Sequence, residues 1–112
     1  MKKIEAIIRP EKLAEVRAAL DSMGYPGLTV AEVKGHGAQK GIVEQWRGQQ
    51  YRLEFLPKIW LFVVVDDADA QKVIDAICTH AATGEVGDGK IFVSTVDEVV
   101  RVRTKETGLA AV

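Results

Sequence analysis

A single cysteine, Cys78, stands in 112 residues, so no internal disulfide can form and a reducing compartment is indicated. Histidine is scarce too: neither His36 nor His80 has a cysteine or carboxylate at metal-ligand spacing. No serine or cysteine has an evident activating base, which argues against an enzyme working through a nucleophile. Aromatic residues make up only 6% of the chain. The last strand-like segment carries just Phe92, too little for the stacking platform of a sheet-based RNA binder. An excess of one charge is also missing. Fifteen basic residues against 16 acidic ones leave a formal charge of -1, which excludes a non-specific nucleic-acid coat. No run of about 18 apolar residues occurs, so no membrane span is expected. The opening "MKKIEAIIRPEK" is too short in apolar residues for a signal-peptide core, and a cytoplasmic chain is expected.

What remains is an ordinary composition for one globular domain, with 47% apolar and 28% charged residues. "KKIEAII" alternates as a half-buried strand over residues 2–8. Pro10 suits the first turn of a helix, and Leu13, Val16, Leu20 and Met23 then form one apolar stripe that Gly24 stops. "LTVAEVKG" predicts a second strand. Residues 59–65 are apolar at both parities, which predicts a strand buried on both faces. A second helix is expected after Asp67 or Asp69, with Val73, Ile74, Ile77 and Cys78 inward and Gly84 as its stop. A strand from Lys90 to Thr95 follows, and "VVRVR" reads as one more extended piece.

This order, β-α-β-β-α-β, is the α+β ferredoxin-like arrangement, an antiparallel sheet with two helices on one face. Two helices cover one face only. The doubly apolar strand then calls for a second cover, and a closed homo-oligomer is the expected one. Between the second and third strands, residues 36–50 fit neither period. A connection that long in a compact domain is usually functional or mobile.

Residues 83–93, "TGEVGDGKIFV", put three glycines around an aspartate ahead of a lysine. The stretch runs from helix to strand, so it is neither a Walker loop nor a dinucleotide fingerprint, which run from strand to helix. It can still form a backbone nest for an anion. Lys90 follows it, and "RVRT" would place Arg101 and Arg103 on one face of an extended segment, two guanidiniums suited to phosphate oxygens. The bland alternatives are a plain turn and two solvated surface arginines. Tyr51 reads as a strand-start aromatic or an exposed hydroxyl.

The stretch "TGEVGDGKIFV", with "GHGAQKG", "FLPK" and "RVRT" in register around it, resembles the PII nitrogen-signalling proteins over nearly the whole chain. That resemblance implies a homotrimer of single ferredoxin-like domains, here residues 1–112. It implies ATP or ADP in clefts between subunits and 2-oxoglutarate bound together with MgATP. Gly87, Asp88, Gly89 and Lys90 would cradle phosphates in a loop spanning 83–90, joined by Arg101 and Arg103 from the C-terminal segment 101–112. Thr29 and Val64 would hold the adenosine part, and Gly35, Gly37 and Ala38 would line the cleft. Gln39 would ligand the magnesium that bridges ATP and 2-oxoglutarate. Lys58 and Arg9 would meet the distal carboxylate beside Gly87. Residues 36–52 would be a mobile effector loop docking on a target such as an ammonium transporter or a nitrogen-metabolism enzyme, with Tyr51 as a site of nucleotidyl modification. No enzyme activity, nucleic-acid partner or membrane insertion is implied.

Some residues depart from the family pattern. "WRGQQY" replaces the tyrosine-rich loop signature, Phe62 is bulkier than expected beside a nucleotide, and the tail "RTKETGLAAV" lacks the usual glycine and acidic run. A PII-like regulator of bicarbonate transport or nitrogenase is one alternative. A ferredoxin-like small-molecule sensor is another, although it has no reason to carry Lys90, Arg101 and Arg103 together.

Overall fold

The computed structural model describes residues 1–36 and 55–112 in full, together with the backbone of 43–46 and 49–52. The elements run β1 (Lys2–Ile8), α1 (Leu13–Ser22), β2 (Thr29–Gly35), β3 (Val43–Trp46), β4 (Gln49–Arg52), β5 (Leu56–Val65), α2 (Ala70–Ala81) and β6 (Lys90–Thr95). β2, β5, β1 and β6 form one antiparallel sheet in that order. This is the ferredoxin-like α+β fold expected from the pattern.

Side-chain parity builds the core. Ile4, Ala6 and Ile8 of β1 and Ile59, Leu61, Val63 and Val65 of β5 point one way, against Val16 and Leu20 of α1 and Val73, Ile77 and Ala81 of α2. Each fully buried Leu or Ile there contributes about 1.5–3 kcal/mol. The even residues of β5 point the other way. Trp60, Phe62 and Val64 are only half-buried, and Phe92 on β6 is exposed beside them. On this outer face Trp60 Nε1 donates to Glu5 Oε2 at 2.9 Å, and the Lys3 ammonium lies 4.6 Å from the centre of the Phe62 ring.

The helix ends follow local chemistry. Pro10 opens a 3-10 turn, Pro10–Lys12, that runs into α1. Gly24, at φ 88°, closes α1: its N–H donates to Asp21 O at 3.0 Å and the Tyr25 N–H donates to Leu20 O at 3.0 Å. These are the paired bonds of a Schellman motif. Asp66 caps the turn before α2, accepting from Ala68 N at 3.2 Å. Pro57 falls beyond the end of the β1 pairing, where β5 has a neighbour on one side only and a missing N–H is tolerated.

Three expectations need correction. Cys78, placed inward from its spacing, is exposed, because α2 turns Val73, Ile77 and Ala81 to the core instead. It borders a mainly apolar groove between α2 and β6. The α2 helix ends at Ala81, before Gly84, because Ala82 already adopts an extended conformation. "VVRVR" is not a strand: Val100 makes an isolated bridge to Thr107, and the chain turns between them. Within the expected effector loop, β3 pairs with β4 in an antiparallel ribbon, Val43 opposite Arg52. The expectation of mobility at 36–52 falls in part outside the described residues, at 37–42 and 47–48.

Candidate functional site

β1 stops at Ile8 while β5 and the chain before β6 run on, and this end of the sheet gathers the charged residues. After α2 the chain must reverse within a few residues to enter β6. Gly84, Gly87 and Gly89 make that possible, at φ 87°, 102° and 108°, a region that side chains rarely adopt. Gly89 is constrained twice. A Cβ there would lie 1.7 Å from the carbonyl oxygen of Ile7, so β1 packs directly on the glycine backbone.

Asp88 ties the loop together. Its Oδ2 accepts from Thr83 N at 2.8 Å and Gly84 N at 2.9 Å, and its Oδ1 accepts from Thr83 Oγ1 at 2.5 Å and Arg9 Nε at 3.0 Å. The Thr83 hydroxyl first, then the Arg9 guanidinium and the two backbone N–H groups, hold this carboxyl far below the usual carboxylate range. Arg9 also donates to the carbonyl of Val86 at 2.9 Å, bracing the loop at a second point.

Lys58 projects from β5 on the face of Trp60, and its stem passes Gly35, whose Cβ would lie 3.3 Å from Lys58 Cγ. Its ammonium donates to Gly87 O at 2.6 Å. Burial first, and then the Arg9 charge, push the Lys58 ammonium below its ordinary value, while Glu11 and Asp88 oppose this. Lys90 is exposed one sheet row away: it pairs with Ile7, which pairs with Trp60. Arg9, Lys58, Gly87, Asp88, Gly89 and Lys90 are therefore brought to one end of the sheet. Two or three cations beside a glycine-backed turn suit a phosphate or carboxylate ligand.

Other expected residues lie apart. Thr29 is exposed at the start of β2, paired with Phe62, and Val64 is half-buried further along the outer face. Arg101 is engaged by its own tail: it donates to Glu106 Oε1 at 3.0 Å and to Ala110 O at 2.9 Å. The chain turns through Arg103, with Lys105 N–H donating to Arg101 O at 2.8 Å and Lys105 at φ 62°. Arg101 and Arg103 thus do not share the face of an extended segment. Gly37, Ala38 and Gln39, and the side chain of Tyr51, lie outside the described residues. Among the described residues, no cluster of three or more His, Cys, Asp or Glu could hold a metal ion. None of their helices is long and apolar enough to cross a membrane.

Thr83 is the functional residue that sequence reading passed over. Its signal was present, since Thr and Asp in a glycine-rich turn commonly bond nearby backbone N–H groups.

The family model of the nitrogen regulatory protein P-II matches residues 1–106. The chain is 57% identical over 112 residues to a nitrogen regulatory protein P-II of Rhizobium meliloti (strain 1021), covering 100% of both chains. It is 55% identical to nitrogen regulatory protein P-II 2 of Methanothermobacter thermautotrophicus, covering 100% of this chain and 97% of that one. Against the protein of the same name from Synechocystis sp. (strain PCC 6803) the identity is 53%, over 100% of both chains. The chain belongs to the nitrogen regulatory protein P-II family.

Proposed function

We propose that this protein reports nitrogen, carbon and energy status by binding ATP or ADP and, with MgATP, 2-oxoglutarate. It passes that state to a target protein through residues 36–52. It acts without catalysis, in the cytoplasm. The observation that carries the reading is the 83–90 loop, closed on itself by Asp88, bonded by Lys58 at Gly87 O and ending in the exposed Lys90. Family membership supports it further.

The phosphates lie along Gly87, Gly89 and Lys90, and Arg101 and Arg103 reach them from a neighbouring copy. The half-buried Trp60, Phe62 and Val64 face supports the homotrimer, since an apolar sheet face left in water forfeits its burial energy. Thr29 and Val64 hold the adenosine part, with Gly35, Gly37 and Ala38 lining the cleft. Lys58 receives the distal carboxylate of 2-oxoglutarate. Gln39 would hold magnesium, which would supply positive charge between two anionic ligands.

Calorimetry decides the reading. ATP and ADP bind the wild type, and 2-oxoglutarate binds only when MgATP is present. By reciprocity 2-oxoglutarate then tightens ATP by the same factor. Arg103→Ala weakens ATP by about tenfold or more, the loss of one charge-assisted hydrogen bond. Absence of nucleotide binding, or a stable monomer near 12.2 kDa in sedimentation equilibrium, would overturn it.

A further inference from the structure

A carboxylate inside a loop that holds polyphosphate is an electrostatic problem, and Asp88 is such a carboxylate. It repels the ligand unless its charge is cancelled locally. The geometry cancels it. Both oxygens are engaged inside the loop: Oδ2 by the N–H groups of Thr83 and Gly84, Oδ1 by the Thr83 hydroxyl and Arg9 Nε. The first two N–H groups of the turn are thus spent on the protein's own anion. Arg9 reaches this loop from the end of β1, a separation of 79 residues, and grips it at Asp88 and at Val86 O together. Its side chain is only 15% exposed and that of Asp88 is 24% exposed, so solvent screens this pair less than a free surface pair.

We propose that the side chains of Asp88 and Arg9 act on nucleotide binding as a positioning pair: Asp88 shapes the phosphate loop from within, and Arg9 is the counter-charge that lets that loop accept an anion. The inference rests on the nucleotide reading above and adds a role for two residues within it. It makes Arg9 a determinant of how steeply affinity depends on ligand charge. Neutral Arg9 leaves the Asp88 carboxylate uncompensated, and the penalty grows with each added phosphate. Neutral Asp88 leaves the guanidinium in excess, and the bias reverses.

The test is calorimetry of AMP, ADP and ATP against four proteins: wild type, Arg9→Gln, Asp88→Asn and the double variant, each first checked for folding by circular dichroism. Arg9→Gln lowers the ATP-to-ADP affinity ratio by about threefold or more, the size expected for one uncompensated charge near a screened phosphate. Asp88→Asn raises the ratio, and the double variant returns it to near the wild-type value. A structural defect alone would weaken all three nucleotides by one common factor and leave the ratios unmoved, which overturns the proposal. A ratio that falls in Asp88→Asn also overturns it. If Arg9→Gln does not fold, Asp88→Asn alone still decides by the direction of its ratio. A wild type that binds none of the three removes the nucleotide reading and this inference together, whereas wild-type binding with unmoved ratios removes only the inference.

Discussion

The Lys58 ammonium lies 2.6 Å from the carbonyl oxygen of Gly87, so the start of β5 and the loop after α2 are joined by a hydrogen bond. Lys58 is 8% exposed, and burying its ammonium carries a desolvation cost that this bond offsets.

Exchange of Lys58 for an apolar residue of similar length therefore separates stability from binding. Lys58→Met removes the bond and the desolvation cost together, and the free energy of unfolding stays within about 1 kcal/mol of the wild type. Affinity for 2-oxoglutarate in the presence of MgATP falls by about tenfold or more, because the cation proposed to meet its carboxylate is gone. Urea unfolding and calorimetry on the same sample check both halves. A large loss of stability with unchanged affinity would reverse the assignment.

Two glycines of the loop differ sharply in what they tolerate. Gly84 and Gly89 both have positive φ, 87° and 108°, but only Gly89 has backbone where a Cβ would go, with Ile7 O at 1.7 Å. Gly84→Ala pays the backbone penalty alone, about 1–2 kcal/mol. Gly89→Ala must also push β1 away, and costs more than about 3 kcal/mol or prevents folding. Denaturant midpoints of the two variants measure the difference.

The Asp88 carboxyl titrates below its ordinary value of 3.8 in the folded protein. The unfolded chain therefore binds the proton first as pH falls. Its contribution to stability is complete above the ordinary value and is lost as pH drops through 3.8 toward the folded value. Melting temperatures followed from about pH 5 to about pH 2 show a steep acid limb in the wild type. Asp88→Asn is less stable at neutral pH and has a shallower limb. An identical acid limb in both proteins would rule out this linkage.

Much of the fold was legible because its signals are local. Strand parity in β1 and β5, the stripe of Val16 and Leu20 and the Gly24 stop each depend on a few neighbouring residues whose period or φ preference leaves little choice. Cys78 shows where such signals end. Its position on α2 is compatible with either side of the apolar arc, and only the packing of α2 on the sheet turned Val73 and Ile77 inward and left the thiol outside. "VVRVR" likewise has the composition of a strand, but among the described residues no strand pairs with it along its length, and the bonds from Arg101 to Glu106 and Ala110 hold a turn instead.

The candidate site divides along the same line. Residue types alone pointed to a tight reversal at 83–90: three glycines permit it, and Lys90 supplies charge at its exit, the pattern an anion nest would use. Which groups face that turn was decided by tertiary structure. Arg9 and Asp88 are 79 residues apart, and Lys58 and Gly87 are 29 apart. Pairing in register of β1 with both β5 and β6 brings them together. A sequence carries the charge of each residue; the partner that cancels or uses that charge exists only once the sheet has formed.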